Sequence, residues 1–216
     1  MTSNERSRQS RVSADLRVRR EPSRSPGMLT RRAIALWFLA LTLTSLAGAE
    51  SVQVPFNVQA DLVAKVANFD RNFAARAGTR ALVLVMMMPN DAESAGAAQE
   101  FRSALQRVPK VGELPHEEQV VTYTGAAALA DMVRARKVSI VYFGPGFAKE
   151  LPTIRSALAN TSLLTVAAAP EYVAAGIVLG FDLVSGRPKL LVNLEQARKQ
   201  QVDFPGSVLR LMKVYS

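Results

Sequence analysis

The chain has 216 residues, with 27 Lys plus Arg against 18 Asp plus Glu, one histidine and no cysteine. Without cysteine, and with His116 alone, it cannot build a Cys-rich zinc site, a thiol nucleophile, a disulfide framework, an iron–sulfur cluster or a two-histidine metal site, and no cofactor is expected. The net charge of +9 invites a nucleic-acid reading, yet nine arginines face three acids before residue 33; the remainder is too sparsely charged for counterion release, so nucleic acid is not an expected partner.

The basic stretch leads into Thr30-Arg31-Arg32, an apolar run from Ala33 to Leu46, and Ala47-Gly48-Ala49. A basic start, an apolar stretch and an Ala-x-Ala site in that order read as a secretory signal peptide over residues 1–49, cleaved after Ala49, with Met28 as the expected start of translation. The run falls short of the ~20 apolar residues of a membrane-spanning helix, and an uncleaved anchor is the weaker alternative. A twin-arginine signal is disfavoured because Ala33-Ile34-Ala35 follows the arginines where a bulky apolar pair is usual. The expected product is one exported, periplasmic domain, residues 50–216, that does not span the membrane.

Within that domain, Pro55 to Arg76 places Val58, Leu62, Val66, Phe69 and Phe73 at spacings of three and four, one stripe of a long first helix. Ala81 to Met87 is a continuous apolar run, the pattern of a strand buried on both faces. Asp91 to Val108 starts on a good N-cap and carries Phe101, Leu105 and Val108 on one side, a second helix. Val120 to Thr124 reads as a strand, Ala126 to Ala135 as a helix, and Val138 to Phe143 as a strand ending at Gly144-Pro145-Gly146. A helix from Phe147 to Asn160 and a strand from Leu163 to Ala168 follow. The alternation predicts an α/β fold, a mainly parallel sheet with helices on both faces. Ile177 to Val184 and Lys189 to Leu194, separated by four residues, add an antiparallel hairpin. A short helix from Glu195 to Gln201 and a closing helix from Ser207 to Tyr215, with Val208, Leu211 and Met212 inward, complete the chain.

The closing segment, with Asn193, Leu194, Ala197 and Arg198 and then Ser207, Leu209, Leu211, Lys213 and Val214, resembles the C-terminal signature of the YfiR/HmsC-like periplasmic proteins. The first helix, with Val58, Ala60, Leu62, Lys65 and Phe69, is similar to that family's opening helix. The family often carries paired cysteines, so this chain resembles a cysteine-free branch without redox control. The resemblance implies a non-enzymatic regulator that binds the periplasmic part of an inner-membrane diguanylate cyclase or sensor and holds it inactive, with a homodimer among the expected assemblies. Cyclic-di-GMP signalling and biofilm are the implied output.

The residues themselves supply no catalytic constellation. His116 is expected as a solvated loop histidine, Met86-Met87-Met88 as core filling rather than a soft-metal site, and Glu117 and Glu118 to point to opposite sides of an extended chain. Fold rules place a ligand pocket at the carboxyl ends of the strands, where Asn90, Thr124, Gly125, Gly144, Gly146, Phe147, Glu171 and Tyr172 fall. There the glycines of Gly144-Pro145-Gly146 suit close backbone approach and the amides of the following helix suit an anion, but Gly-Pro-Gly is ordinary turn chemistry and a plain strand-to-helix turn is the preferred reading. A protein-binding regulator predicts instead an exposed apolar patch, with Tyr172, Phe181 and Tyr215 as candidates.

Overall fold

A computed structural model describes residues 53–216; the expected signal peptide lies outside the described residues. The helices are α1 (Phe56–Ala67), α2 (Phe73–Ala77), α3 (Ala92–Leu105), α4 (Ala126–Arg136), α5 (Leu151–Ala157), α6 (Glu171–Ala174), α7 (Leu194–Lys199) and α8 (Gly206–Leu209). The strands are β1 (Ala81–Met87), β2 (His116–Thr122), β3 (Ile140–Phe143), β4 (Leu164–Ala167), β5 (Leu179–Val184), β6 (Arg187–Asn193) and β7 (Lys213–Tyr215). They form one sheet in the order β2-β1-β3-β4-β5-β6-β7. Strands β2 to β5 run parallel, β6 is antiparallel to β5, and β7 is parallel to β6.

The continuous apolar runs are explained by two cores, one on each face of the sheet. Val83, Val85, Ile140, Tyr142 and Val166 face the core under α1 and α3, while Leu84, Met86, Val141, Phe143 and Ala167 face the core under α4 and α5. Successive strand side chains alternate, so a strand covered on both sides must be apolar at every position. Met86 is buried and Met87 and Met88 pack partly, as core-filling residues do.

The first helix is shorter than its pattern predicts. α1 stops at Ala67, the chain turns through residues 68–72, and α2 restarts at Phe73. Its buried face is Gln59, Ala60, Val63, Ala64, Val66 and Ala67, so the predicted stripe is rotated; Phe69, beyond the helix end, is 47% exposed. The reason lies in one polar residue. Gln59 is fully buried, donating from Nε2 to Val54 O at 2.7 Å and accepting the Tyr142 hydroxyl at 2.8 Å. The Tyr142 ring stacks on Phe101 with centroids 3.6 Å apart. A buried amide is tolerable only with such partners, and these fix the rotation of α1.

The break is held by a buried ion pair. Arg76 Nη1 meets Asp70 Oδ2 at 2.7 Å, Asp70 Oδ1 accepts the backbone N–H of Asn72 and of Asp203, and Arg76 Nη2 donates to Gln201 O at 3.0 Å. The start of the domain is thereby tied to the segment before α8.

The closing segment departs most from expectation. The expected helix from Ser207 to Tyr215 is a single turn, α8, followed by the strand β7. Leu211, expected inside, is 69% exposed, whereas Met212 is buried. Helical spacing and strand alternation cannot be separated over so short an apolar run. The hairpin turn is also tighter than four residues: Ser185 and Gly186 alone make it, both at positive φ, as a two-residue turn requires.

Candidate functional site

Strand order reverses between β1 and β3, with β2 on one side and β3 to β5 on the other, and open sheets bind ligands at such a point beside the strand carboxyl ends. Here the protein's own side chains fill that crevice. Asp91 caps α3 by accepting Ser94 N–H at 2.9 Å, and Ser94 Oγ accepts Met88 N–H at 2.9 Å. Gly144 lies in contact with α3, where a Cβ would sit 3.8 Å from that of Ala97. Gly146 has φ +92°, and a Cβ there would fall 2.8 Å from Asp91 Oδ2. The two glycines thus serve close packing against Asp91, Met88 and α3. The anion expectation meets a different geometry as well, because α5 begins only at Leu151. Phe147 instead inserts into the core between Tyr123 and Phe143, and its amide donates to the Tyr172 hydroxyl at 3.1 Å.

Of the other expected residues, Asn90 is an exposed turn residue at φ 58°, and Thr124 and Gly125 follow the edge strand β2, Gly125 standing at the N-cap of α4. The strands β1 and β3 separate them from β4. Glu171 and Tyr172 alone of the eight line a cleft, a cavity of about 350 Å³ beside the ends of β3, β4 and β5 with Pro145, Phe181 and Asp182. The Tyr172 side chain is buried, which pushes its phenol up from the usual range against the lowering effect of backbone hydrogen bonds from Phe147.

His116 is not the solvated loop residue expected. It opens β2 with its side chain nearly buried; Nδ1 lies 3.1 Å from Glu118 Oε2 and Nε2 2.8 Å from Val108 O. The neighbouring Glu117 turns the other way and faces Arg80 at 3.6 Å. Among the described residues no group of three His, Asp or Glu is placed to hold a metal ion, and no helix is long and apolar enough to cross a membrane.

Of the three residues expected in an apolar patch, Tyr215 alone reaches the surface, half-buried on β7. Tyr172 and Phe181 are buried, and among the described residues the large exposed apolar side chains are Phe69, Leu211 at 69%, Val184 at 52% and Val214 at 43%. Three of these four belong to the β5–β7 end of the sheet. The signature residues divide accordingly. Asn193 caps α7 by accepting Gln196 N–H and also donates to Val173 O, both at 2.9 Å, and Ala197 is buried behind it. Leu194 is half-buried, while Arg198, Leu211 and Lys213 face solvent. Alternation within Lys213-Val214-Tyr215 was the available signal for this edge, and three residues were too few to separate it from helix.

A family model described as YfiR/HmsC-like matches residues 56–213. No curated protein matches the sequence. Among solved structures, a conserved domain protein from Vibrio cholerae O1 biovar El Tor N16961 is 13% identical, with 75% of this chain and 60% of that one covered and a TM-score of 0.51. The ABC domain in complex with L-Trp from Streptococcus pneumoniae is 14% identical over 69% and 62%, at a TM-score of 0.47. A ligand-free, open substrate-binding protein with adhesive properties from Clostridium difficile is 12% identical over 67% and 57%, also at 0.47. The chain spans less than two thirds of each, and the likeness to the Vibrio protein concerns the α/β fold alone.

Proposed function

The chain belongs to the YfiR/HmsC-like family, and on that membership we propose that it is an exported, periplasmic regulatory protein that acts by binding the periplasmic part of an inner-membrane diguanylate cyclase or sensor. It exerts control by occupancy and catalyses no reaction. The family match across nearly the whole domain carries this reading, and the exposed apolar side chains at the β5–β7 end supply a surface on which a partner can close. Residues 1–49 are the export signal in this reading, and residues 50–216 form the working domain.

The test is deletion of the gene in its native cell with cyclic-di-GMP quantified by mass spectrometry. The nucleotide rises several-fold on deletion and returns on re-expression. An unchanged level in a strain that makes an active periplasm-sensing cyclase contradicts the proposal.

A second reading rests on the cleft beside Glu171 and Tyr172, which makes the domain a small-molecule binding module. It predicts a ligand that raises the melting temperature, an effect lost in Tyr172→Ala. A turnover abolished by Glu171→Gln or Asn90→Ala would instead reinstate an enzyme.

A further inference from the structure

Helix α6 covers only the first half of one face of the β5–β7 end. It presses so close at Gly180 that a Cβ there would lie 2.4 Å from Val173 Cγ2. Asn193 Nδ2 bonds the same Val173 at its carbonyl. Beyond these residues and the buried Leu191 no helix covers the face, where Asp182, Lys189 and Tyr215 are half-buried and Val184, Arg187 and Lys213 exposed. Val184 pairs with Arg187 and Asp182 with Lys189 across the hairpin, and Leu191 pairs with Lys213. Directly paired residues share a face, and alternation adds Tyr215 to it. Arg187 and Lys213 on this face are exposed, as is Arg210 just before β7. Lys189 Nζ reaches along the edge to Leu211 O at 2.8 Å. The Lys213 ammonium lies 5.3 Å from the centre of the Tyr215 ring. Among the described residues, none of these four cations forms an ion pair within 4.0 Å, and β7 pairs on one side only.

Natural proteins guard an open edge with lysines and charge, and such charge also selects what is allowed to pair there. A second copy is disfavoured, because edge against edge would oppose four cations to four cations with one acid, Asp182, on each side to answer them. The other sheet edge, β2, does carry carboxylates, but Glu117 faces Arg80 and Glu118 faces His116. An anionic membrane would answer the charge, yet it would leave the backbone groups of β7 unpaired. An extended chain bearing alternate acidic side chains answers all three features: the free backbone edge, the cations, and the apolar side chains of Val184 and Leu211.

We propose that β7 and the bare face beside it dock an extended, acidic segment of the partner protein, which adds to the sheet as an eighth strand. This rests on the regulator reading above and names the partner's contact chemistry. The segment carries Glu or Asp at alternate positions to meet Arg187, Lys189 and Lys213, with apolar residues near Leu211. Its main chain supplies the hydrogen bonds along β7.

The test uses the full chain and a fluorescein-labelled peptide of alternating Glu and Val, with two controls: a Lys–Val peptide, and a Glu–Val peptide N-methylated at alternate residues so that one backbone edge cannot bond. Saturable anisotropy binding of the first alone, weakened at least about tenfold by Lys213→Glu or Leu211→Asp and by 0.5 M salt, is the expected result. Binding that survives N-methylation or both substitutions overturns the proposal. Co-sedimentation with phosphatidylglycerol vesicles in place of peptide binding overturns it in favour of a membrane surface, and self-association lost in Leu211→Asp does so in favour of a second copy. Circular dichroism confirms that each variant is folded. The cyclic-di-GMP response is read separately. Absent peptide binding with that response intact removes the edge and leaves the regulator, whereas an absent response removes the reading beneath it.

Discussion

The strands β1, β3 and β4 lie under helices on both faces, whereas beyond Gly180 the strands β5, β6 and β7 lose their cover on one face. In the first region the sequence pays for burial with apolar runs, and two of the buried polar side chains are bonded, Gln59 to Tyr142 and Val54 and Thr165 to Gln200, whereas the Ser139 hydroxyl is buried without a partner. In the second, apolar and cationic residues alternate, and Leu211 stands in water. If stability resides in the covered half and, as proposed, recognition in the bare one, substitutions should sort the same way.

The largest effect is expected at the centre of the covered half. Phe101→Ala removes the ring stacked on Tyr142 and should cost about 3–5 kcal/mol, seen as a lower urea midpoint with partner binding unchanged in the protein that remains folded. Asp70→Ala leaves Arg76 buried beside Gln201 and should cost about 3 kcal/mol. Because it also frees the segment before α8, hydrogen exchange should rise at residues 201–204 before it rises in β3. Gly180→Ala, at the border of the two regions, drives a methyl against Val173 and should cost about 1–3 kcal/mol, with α6 losing protection first.

A smaller effect separates the halves by pH. Burial holds the Tyr142 phenol well above its usual range, so the unfolded chain releases this proton at lower pH than the folded one. The stabilisation is complete below about pH 10, the ordinary tyrosine value, and is lost as pH rises through the folded value, since the unfolded state then binds fewer protons. Denaturation at pH 9 and pH 11 should show a smaller loss of stability in Tyr142→Phe than in the parent chain. Tyr123 and Tyr172 are raised in the same direction and persist in both. The smallest effect on stability belongs to the bare half: Leu211→Asp should change unfolding by no more than about 0.5 kcal/mol while abolishing partner binding. A large destabilisation there would erase the distinction between the two regions.

Much of the covered half is legible from sequence because burial on both faces leaves a one-dimensional trace. Ala81–Met87 appears in the structure with its expected bounds, and Asp91 caps α3 as its position before an Ala-rich run predicts. The misreadings have physical causes. The rotation of α1 depends on Gln59 meeting Tyr142, a contact between residues 83 positions apart that no local period encodes. The crevice at the strand reversal is legible from the alternation of elements, but its filling by Met88 and Asp91 is a matter of side-chain reach. His116 is drawn inward by Val108 and Glu118 together. The β7 edge is obscured because its apolar residues fit a helix as well as a strand, and only the pairing of Leu191 with Lys213 decides.

The central claim, that the bare end of the sheet is where the partner sits, is tested most directly by photocrosslinking in living cells. A benzoyl-phenylalanine placed at position 211 in one strain and at position 69, the exposed aromatic outside the edge, in another is irradiated, and the adducts are identified by mass spectrometry. The account predicts an adduct from position 211 to an acidic stretch in the periplasmic part of a membrane sensor, and none from position 69. An adduct to such a sensor from position 69 with none from position 211 would contradict it.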